Sequence, residues 1–445
     1  MLKRVVDNRA SLLVVAVLYA VTAFMYYLAA TRVFEPIAGF EPFRAVLLVL
    51  MAPLMVKYSV QLLCAPLYSV AQRFRTRLDD TEPTVSVIIP AWNEEVGIVK
   101  TIQSVVDTAY PRLQVVVVND GSTDGTHARI KQFIADHEEA GGSARITYLN
   151  LPNGGKARAM NRGLRQADGE IIVTIDADSV MDPAALDRMV ECFSDAKVGG
   201  VAGNVVVANR NRPIGWMQQL EYVYGFFFKR ADSLFNSVYI IGGAAAAYRR
   251  EVLEKMGGFD HSIITEDIEM STRILAHGYK TRYAADAVVY TEGPSDFKGL
   301  CNQRLRWKYG RLLTFLKHRN LFFNPRNNPY LSFFLLPLAV YAETLLLFEA
   351  AMLSTFFIYT VLTSDYMPLA LVVTILTSVV FLQVAMDGKY RFHRNLLPLA
   401  PVAWLVFYAM DLIEFQALVR SLRRFAIGKE LKWQRWVRVG IPDQA

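Results

Sequence analysis

From Ala10 to Ala30 the chain carries no charged side chain. About 20 apolar residues suffice to cross a bilayer as a helix. A second apolar stretch, Ala45 to Ala71, follows at once and is interrupted only by Lys57. A cleaved leader is the competing reading of the first stretch. Its length, and the second stretch so close behind, argue for two membrane helices instead. The C-terminal third repeats the pattern. Leu331–Val361, Pro368–Met386 and Leu396–Val419 are apolar, with polar breaks at Asp365 and at Asp387–Arg394. These runs explain a mean hydropathy of +0.24, high for a water-soluble chain. Between Thr81 and Asn320, strand-like and helix-like patterns alternate instead. The expected plan is an α/β domain over 81–312 flanked by transmembrane α-helices. Two of these lie within 1–80, interfacial and transmembrane helices fill 313–425, and a basic tail spans 426–445.

Basic residues near membrane ends set orientation. Lys3, Arg4 and Arg9 precede the first helix, and Arg73, Arg75 and Arg77 follow the second. Both flanks, and the α/β domain behind them, are therefore expected in the cytosol. Three C-terminal crossings would put the basic tail outside, against the same rule. The charge is the stronger signal and places the tail inside. Leu331–Val361 is long for one helix, which leaves room for an interfacial piece or an extra crossing.

The net charge of +7 suits a protein on anionic lipid with an anionic substrate. The basic residues lie at membrane flanks without an aromatic-interleaved patch, which argues against nucleic acid. Cys64, Cys192 and Cys301 are far apart, with no CxxC spacing. They read as free thiols of a reducing compartment. No His/Cys cluster has zinc spacing.

Within the α/β region, Val85–Pro90 reads as a short buried strand, and Ala91-Trp92-Asn93-Glu94-Glu95 follows it. Gln114–Val118 is too apolar for a half-exposed strand, so it is central and parallel. It ends at Asp120, where open α/β sheets bind ligands. Asp120 can accept hydrogen bonds from a ligand, or merely sit in a polar turn beside the capping residues Asp124 and Thr126. Asn153-Gly-Gly-Lys156 opens a helix where a lysine can meet phosphate. It lacks Walker spacing, and a plain glycine turn fits equally. Glu170–Ile175 runs into Asp176-Ala177-Asp178. Two acids so close need either a hard cation or an Asx turn. Tyr239–Ala247 packs small residues, leaving space for a helix or for a flat ligand. Thr265-Glu266-Asp267 starts another helix, where acids suit the macrodipole and Thr265 can cap. Gln303-Arg304-Leu305-Arg306-Trp307 lies on an amphipathic helix that also suits a membrane surface.

Taken in order, Asp120, Asp176-Ala-Asp178, Thr265-Glu-Asp267 and Gln303-Arg-Leu-Arg-Trp307 resemble the processive, membrane-bound glycosyltransferases of family 2. The resemblance covers about residues 83–312. It is nearest the branch of bacterial poly-β-1,6-N-acetylglucosamine synthases. It implies a GT-A fold, a UDP-sugar donor, an inverting reaction and Mg²⁺ or Mn²⁺. It further implies Asp267 as catalytic base with Glu266 beside it, and metal at Asp178 and Asp176. Ala91, Asn93, Glu94, Asp120, Lys156, Asp176 and Arg306 would hold the donor. Gly243, Gln303 and Trp307 would hold the acceptor. The expected partners are a UDP-sugar, best matched by UDP-N-acetylglucosamine, a growing polysaccharide, the cytoplasmic membrane and small membrane or export subunits. Hyaluronan, chitin-oligosaccharide or other β-glycan synthesis, and non-processive glycolipid transfer, use the same donor site and stay open. Glu343 and Glu349 in the Leu331–Val361 run either face a polymer channel or pair with basic residues at the interface.

Overall fold

The computed structural model describes residues 41–73, 82–364, 366–429, 431 and 438–441, with isolated positions before residue 41. The expected helix Ala10–Ala30 lies almost wholly outside the described residues, as do Asp365 and much of the basic tail.

Helix α1 (Glu41–Cys64) precedes an α/β domain built on one eight-stranded sheet, ordered β3-β2-β1-β4-β7-β6-β8-β5. Strands β1 (Val85–Ala91), β2 (Leu113–Asp120), β3 (Arg145–Leu151) and β4 (Ile171–Thr174) are parallel, with β1 between β2 and β4. The chain moves outward from β1 to β3 and then returns to β1's other side. That reversal opens a crevice at the strands' carboxyl ends. Beyond β4 the sheet is mixed. β7 (Ala246–Arg249) is antiparallel to β4 and to β6 (Val198–Val207). β8 (Lys280–Thr291) runs parallel to β6, and β5 (Ser179–Met181) closes the edge.

Strand alternation explains the continuous apolar runs. Val115 and Val117 join Val87, Ile89 and Val173 on one face. Ile98 and Ile102 of α2 (Ile98–Val106) and Ile130 of α3 (Thr126–Glu139) cover them. Val116 and Val118 join Ile88 and Ile172 on the other, under Ala157 and Met160 of α4 (Lys156–Gln166). Helix α4 lies so close that a Cβ on Gly163 would stand 2.6 Å from Ile88 Cγ2. This tight packing fixes the start of α4, and with it Lys156, over the ends of β1 and β2.

Three further helices, α5 (Pro213–Leu234), α6 (Glu266–Ala276) and α7 (Phe297–Lys317), connect the sheet to an apolar bundle. The bundle holds α8 (Leu336–Thr363), α9 (Met367–Met386) and α10 (Ala403–Ala426). Among the described residues, four segments are long and apolar enough to cross a membrane: Ala45–Cys64, Tyr330–Thr363, Leu369–Met386 and Tyr390–Ala426. Large apolar side chains such as Val49, Phe348 and Leu362 point outward from them. The long Leu331–Val361 run is one helix, entered through a π-helical turn at Tyr330–Leu335.

The Tyr390–Ala426 run is bent at Arg394–Val402, a 3₁₀ segment carrying Pro398 and Pro401. Just before the run, Lys389 reaches Asp182 at 2.6 Å, and Asn395 at the start of the 3₁₀ segment donates to Gln219 at 2.8 Å. After it, Glu414 pairs with Lys308 at 2.8 Å. Both ends thus touch the α/β domain or the helices seated on it.

Candidate active site

The carboxyl ends of β1, β2 and β4 and the starts of α4 and α6 meet at a cavity of about 1070 Å³. It continues past Trp307 of α7 to Lys57, Tyr58 and Gln61 of α1. One space therefore joins the strand ends to an apolar helix. Every site residue expected from the sequence lines it except Asn93.

The loop after β1 is laced to the loop after β2. Asn93 sits at φ 56°, its N–H donates to Ser122 Oγ at 2.9 Å, and its Oδ1 accepts from Thr123 N at 2.7 Å. Asn93 is therefore a strut of the loop, while Ala91 and Glu94 face the cavity. Asp120 is held similarly. Its two carboxylate oxygens accept from Gly154 N and Gly155 N, each at 2.8 Å. The close approach needs Gly121, at φ +70°, where a Cβ would meet Asn153 N at 2.5 Å. Asp120 thus ties β2 to the Asn153-Gly-Gly turn while its carboxylate lines the cavity.

Lys156 faces carboxylates. Its Nζ is 2.5 Å from Asp176 and 3.3 Å from Glu266. Burial pulls the lysine's pKa down, but Asp176, Glu266 and Asp267 outweigh it and keep the ammonium charged. Glu266 is only 5% exposed. Burial lifts its carboxyl to about 7, against Lys156 and with help from Asp267. Asp267 is raised by burial too, though Lys156 and two backbone N–H groups hold it back. Those N–H groups are Gly243 N at 2.7 Å and Ile268 N at 2.8 Å. Simple capping of α6 by Thr265 does not occur. Its hydroxyl makes no cap bond and packs where a Cβ on Gly310 would collide at 2.1 Å.

A second group of acids lies at the far side of β4. Asp178 and Glu94 share the guanidinium of Arg438, which is 2.5 Å from Glu94 and ion-paired to Asp178. Burial and the Asp178 carboxylate push Glu94 up to about 8 despite Arg438. Its Oε2 is buried with no hydrogen-bond partner among the described residues. Among those residues no group of three His, Cys, Asp or Glu could cage a metal. Two acids, one with an unpartnered oxygen, already gripping a cationic group fit a hard cation that takes its other ligands from phosphate or water.

On α7, Arg306 lines the cavity, and burial lowers its pKa to about 10 with Arg438 adding to the effect. Trp307 stands 6.4 Å from the Tyr222 ring, with the Arg304 guanidinium 4.1 Å from its own ring centroid. Gln303 accepts from Arg304 at 2.7 Å. Sequence reading missed Arg438, Glu292, Lys229 and Asp232. Arg438 lies in the tail, read only for its basic charge, and the stretches that carry Lys229, Asp232 and Glu292 hold no motif that sets them apart.

A family model described as "Glycosyltransferase like family 2" matches residues 83–310. The poly-β-1,6-N-acetyl-D-glucosamine synthase of Staphylococcus epidermidis is 32% identical over 230 residues, 51% of this chain and 54% of that one. The synthase of the same name from Staphylococcus aureus (strain COL) is 29% identical over 55% of this chain and 58% of its own. The chain thus matches these relatives over little more than half their length. In fold it is similar to a mannosyltransferase from Pyrobaculum calidifontis, solved with GDP-mannose and Mn²⁺. That likeness has a TM-score of 0.55 at 23% identity, over 86% of this chain and 99% of the other. The mixed sheet, the crevice at its switch point and a family match over about half the residues agree, and the chain belongs to the glycosyltransferases of family 2.

Proposed function

We propose that the protein is a membrane-embedded, inverting glycosyltransferase that extends a β-linked polysaccharide from a UDP-sugar. The product is poly-β-1,6-N-acetylglucosamine, the polymer that the relatives are named for, and the donor that supplies its sugar is UDP-N-acetylglucosamine. The observation that carries this is the single cavity running from Asp120 through Asp267 and Trp307 to Lys57. A donor site and an acceptor path share it.

Inversion needs a base opposite the leaving group. Asp267 is fixed by Gly243 N and Ile268 N, faces the cavity, and has a raised pKa that makes it a better proton acceptor. Glu266 beside it holds Lys156, and Lys156 holds Asp176. Lys156 therefore keeps two acids together and is available to a diphosphate when Asp176 turns away. Arg306 adds positive charge on the same side. Asp178, Asp176 and Glu94 would hold Mg²⁺ or Mn²⁺, whose charge would stabilise the departing diphosphate. Trp307 offers an aromatic face to the acceptor sugar. With α8 and α9 as crossings and Tyr390–Ala426 returning to its own side, the tail shares the side of the α/β domain. That agrees with the basic flanks, and both would face the cytosol.

The test is a panel of radiolabelled UDP-sugars given to membranes carrying the protein, scoring UDP release and high-mass product. UDP-N-acetylglucosamine should give both. Asp267→Asn should bind UDP normally but lose turnover by about two orders of magnitude or more, the range for a general base. A single-sugar glycolipid product, a different preferred sugar, or loss of UDP binding in Asp267→Asn would overturn the matching part.

A further inference from the structure

The end of the chain reaches back into the donor cleft. Arg438 ion-pairs with both Asp178 and Glu94. The next residues are anchored. Glu292, 4% exposed at the end of β8, accepts from Val439 N at 2.6 Å and Gly440 N at 3.0 Å. Gly440 takes φ +84°, a left-handed turn that glycine permits. Ile441 is buried against Val206, Ala208, Val288 and Tyr290, and Lys100 Nζ meets its carbonyl at 2.9 Å. A buried carboxylate taking two main-chain N–H groups, an apolar socket and a capped carbonyl make a built dock for residues 438–441.

We propose that this segment is a latch on the metal end of the donor site. Arg438 stands in for a divalent cation on Asp178 and Glu94, so the cation binds only when the segment lets go. The latch rests on the metal-dependent donor site proposed above. A guanidinium and a divalent cation would sit on the same two carboxylates, and their charges repel at that spacing. Arg438 is 344 residues from Glu94 along the chain, so the contact exists only because the tail is docked. The latch ties access of the metal, and of the diphosphate it would carry, to the position of the C-terminal segment. Anything that held the segment away would raise apparent affinity without touching the cleft.

The experiment uses the full chain in lipid nanodiscs and reads Mn²⁺ binding by electron paramagnetic resonance and amide exchange of Val439 and Gly440. The decisive variant is Glu292→Gln, which leaves one acceptor oxygen for two N–H groups. Electrostatics alone makes its sign clear: removing a nearby carboxylate weakens binding of a cation. The latch demands the opposite. If the dock is closed nine-tenths of the time, releasing it tightens apparent Mn²⁺ affinity about tenfold. Arg438→Ala should tighten it as well, and saturating Mn²⁺ with UDP should speed exchange of Val439 and Gly440 in the unaltered protein. Weaker or unchanged Mn²⁺ binding in Glu292→Gln overturns the latch. So does unchanged exchange on adding Mn²⁺ and UDP, or absence of Mn²⁺ binding in every form. These readouts need no turnover, so failure of every UDP-sugar to polymerise would overturn the functional reading and leave the latch standing.

Discussion

The cavity has two charged neighbourhoods that look alike in the sequence and differ in the fold. At the strand ends, Glu94, Asp176, Asp178, Glu266 and Asp267 share Lys156, Arg306 and Arg438, so acids outnumber bases. Near the apolar bundle, Arg304 pairs with Glu221 and Glu414, and Lys308 and Arg311 both pair with Glu343, at 2.7 and 2.6 Å. In those ion pairs three bases meet three acids, and Arg304 is fully buried. Pairs matched in this way are structural, and two further acids, Glu349 and Asp411, lie close to Lys308. An unmatched network leaves an anionic surplus, which suits an arriving cation and costs stability until it arrives. The difference separates the residues that build the site from those that use it.

The sharpest way to break this comparison is to remove one acid from each side. Glu343→Leu strands Arg311 and leaves Lys308 with Glu414 alone, and losing one partner of a buried pair costs about 3–5 kcal/mol. Its thermal midpoint in detergent should drop by many degrees. A variant as stable as the parent, with polymer no longer leaving sealed vesicles, would return Glu343 to a channel wall. Asp178→Asn should do the reverse. Turnover should fall by about two orders of magnitude, a usual loss for one main electrostatic element. The thermal midpoint should hold or rise, because the surplus is relieved. Full activity in EDTA would remove the metal from the account.

Trp307 stands where the two neighbourhoods meet, stacked under Arg304 and beside Tyr222. Trp307→Ala should leave UDP affinity unchanged and cut polymer synthesis by about tenfold, the scale of one lost aromatic contact. If UDP release without added acceptor falls equally, Trp307 supports Arg304 and not the acceptor.

How much of this the sequence showed follows from how far apart the partners lie. Asp120, Asp176 and Asp178 end apolar runs, so their place at the carboxyl ends of strands was readable from a few neighbours. Glu266 and Asp267 were readable as a helix start. The failure of Thr265 to cap was not, since it depends on Gly310 two elements later. Lys156 looked like a phosphate ligand because glycines precede it. The acids that occupy it come from β4 and α6. Asn93 looked like a donor contact, but the strut it forms needs Ser122 and Thr123. The Tyr390–Ala426 run is apolar throughout. Only the contacts at Asp182 and Lys308 show that both its ends meet the α/β domain or the helices seated on it. Composition marks burial and local pattern marks elements, while charge pairing across hundreds of residues leaves no local trace.

The smallest expected effect tests whether the surplus is felt as strain in the folded state. Burial lifts Glu266 from 4.5 to about 7, with Lys156 opposing and Asp267 adding. A carboxyl raised on folding keeps its proton in the folded chain after the unfolded chain has lost it. Across that window the folded state binds more protons, so stability falls as pH rises and then levels off above the folded value. The opposite slope belongs to carboxyls that folding lowers, such as Asp260 beside Lys317. Glu266→Gln is neutral at every pH and lacks this contribution. Its thermal midpoint should decline less than the parent's between about pH 5 and about pH 7.5, by roughly a few degrees, since one pKa unit is about 1.4 kcal/mol. Lys156 keeps Asp176 in the variant, so the change does not strand a cation. The same substitution removes a like charge beside Asp267, which should move the acid limb of turnover to lower pH. Parallel midpoint curves for the two proteins would mean that Lys156 fully neutralises Glu266. The strand-end neighbourhood would then be as well matched as the ion pairs near the bundle.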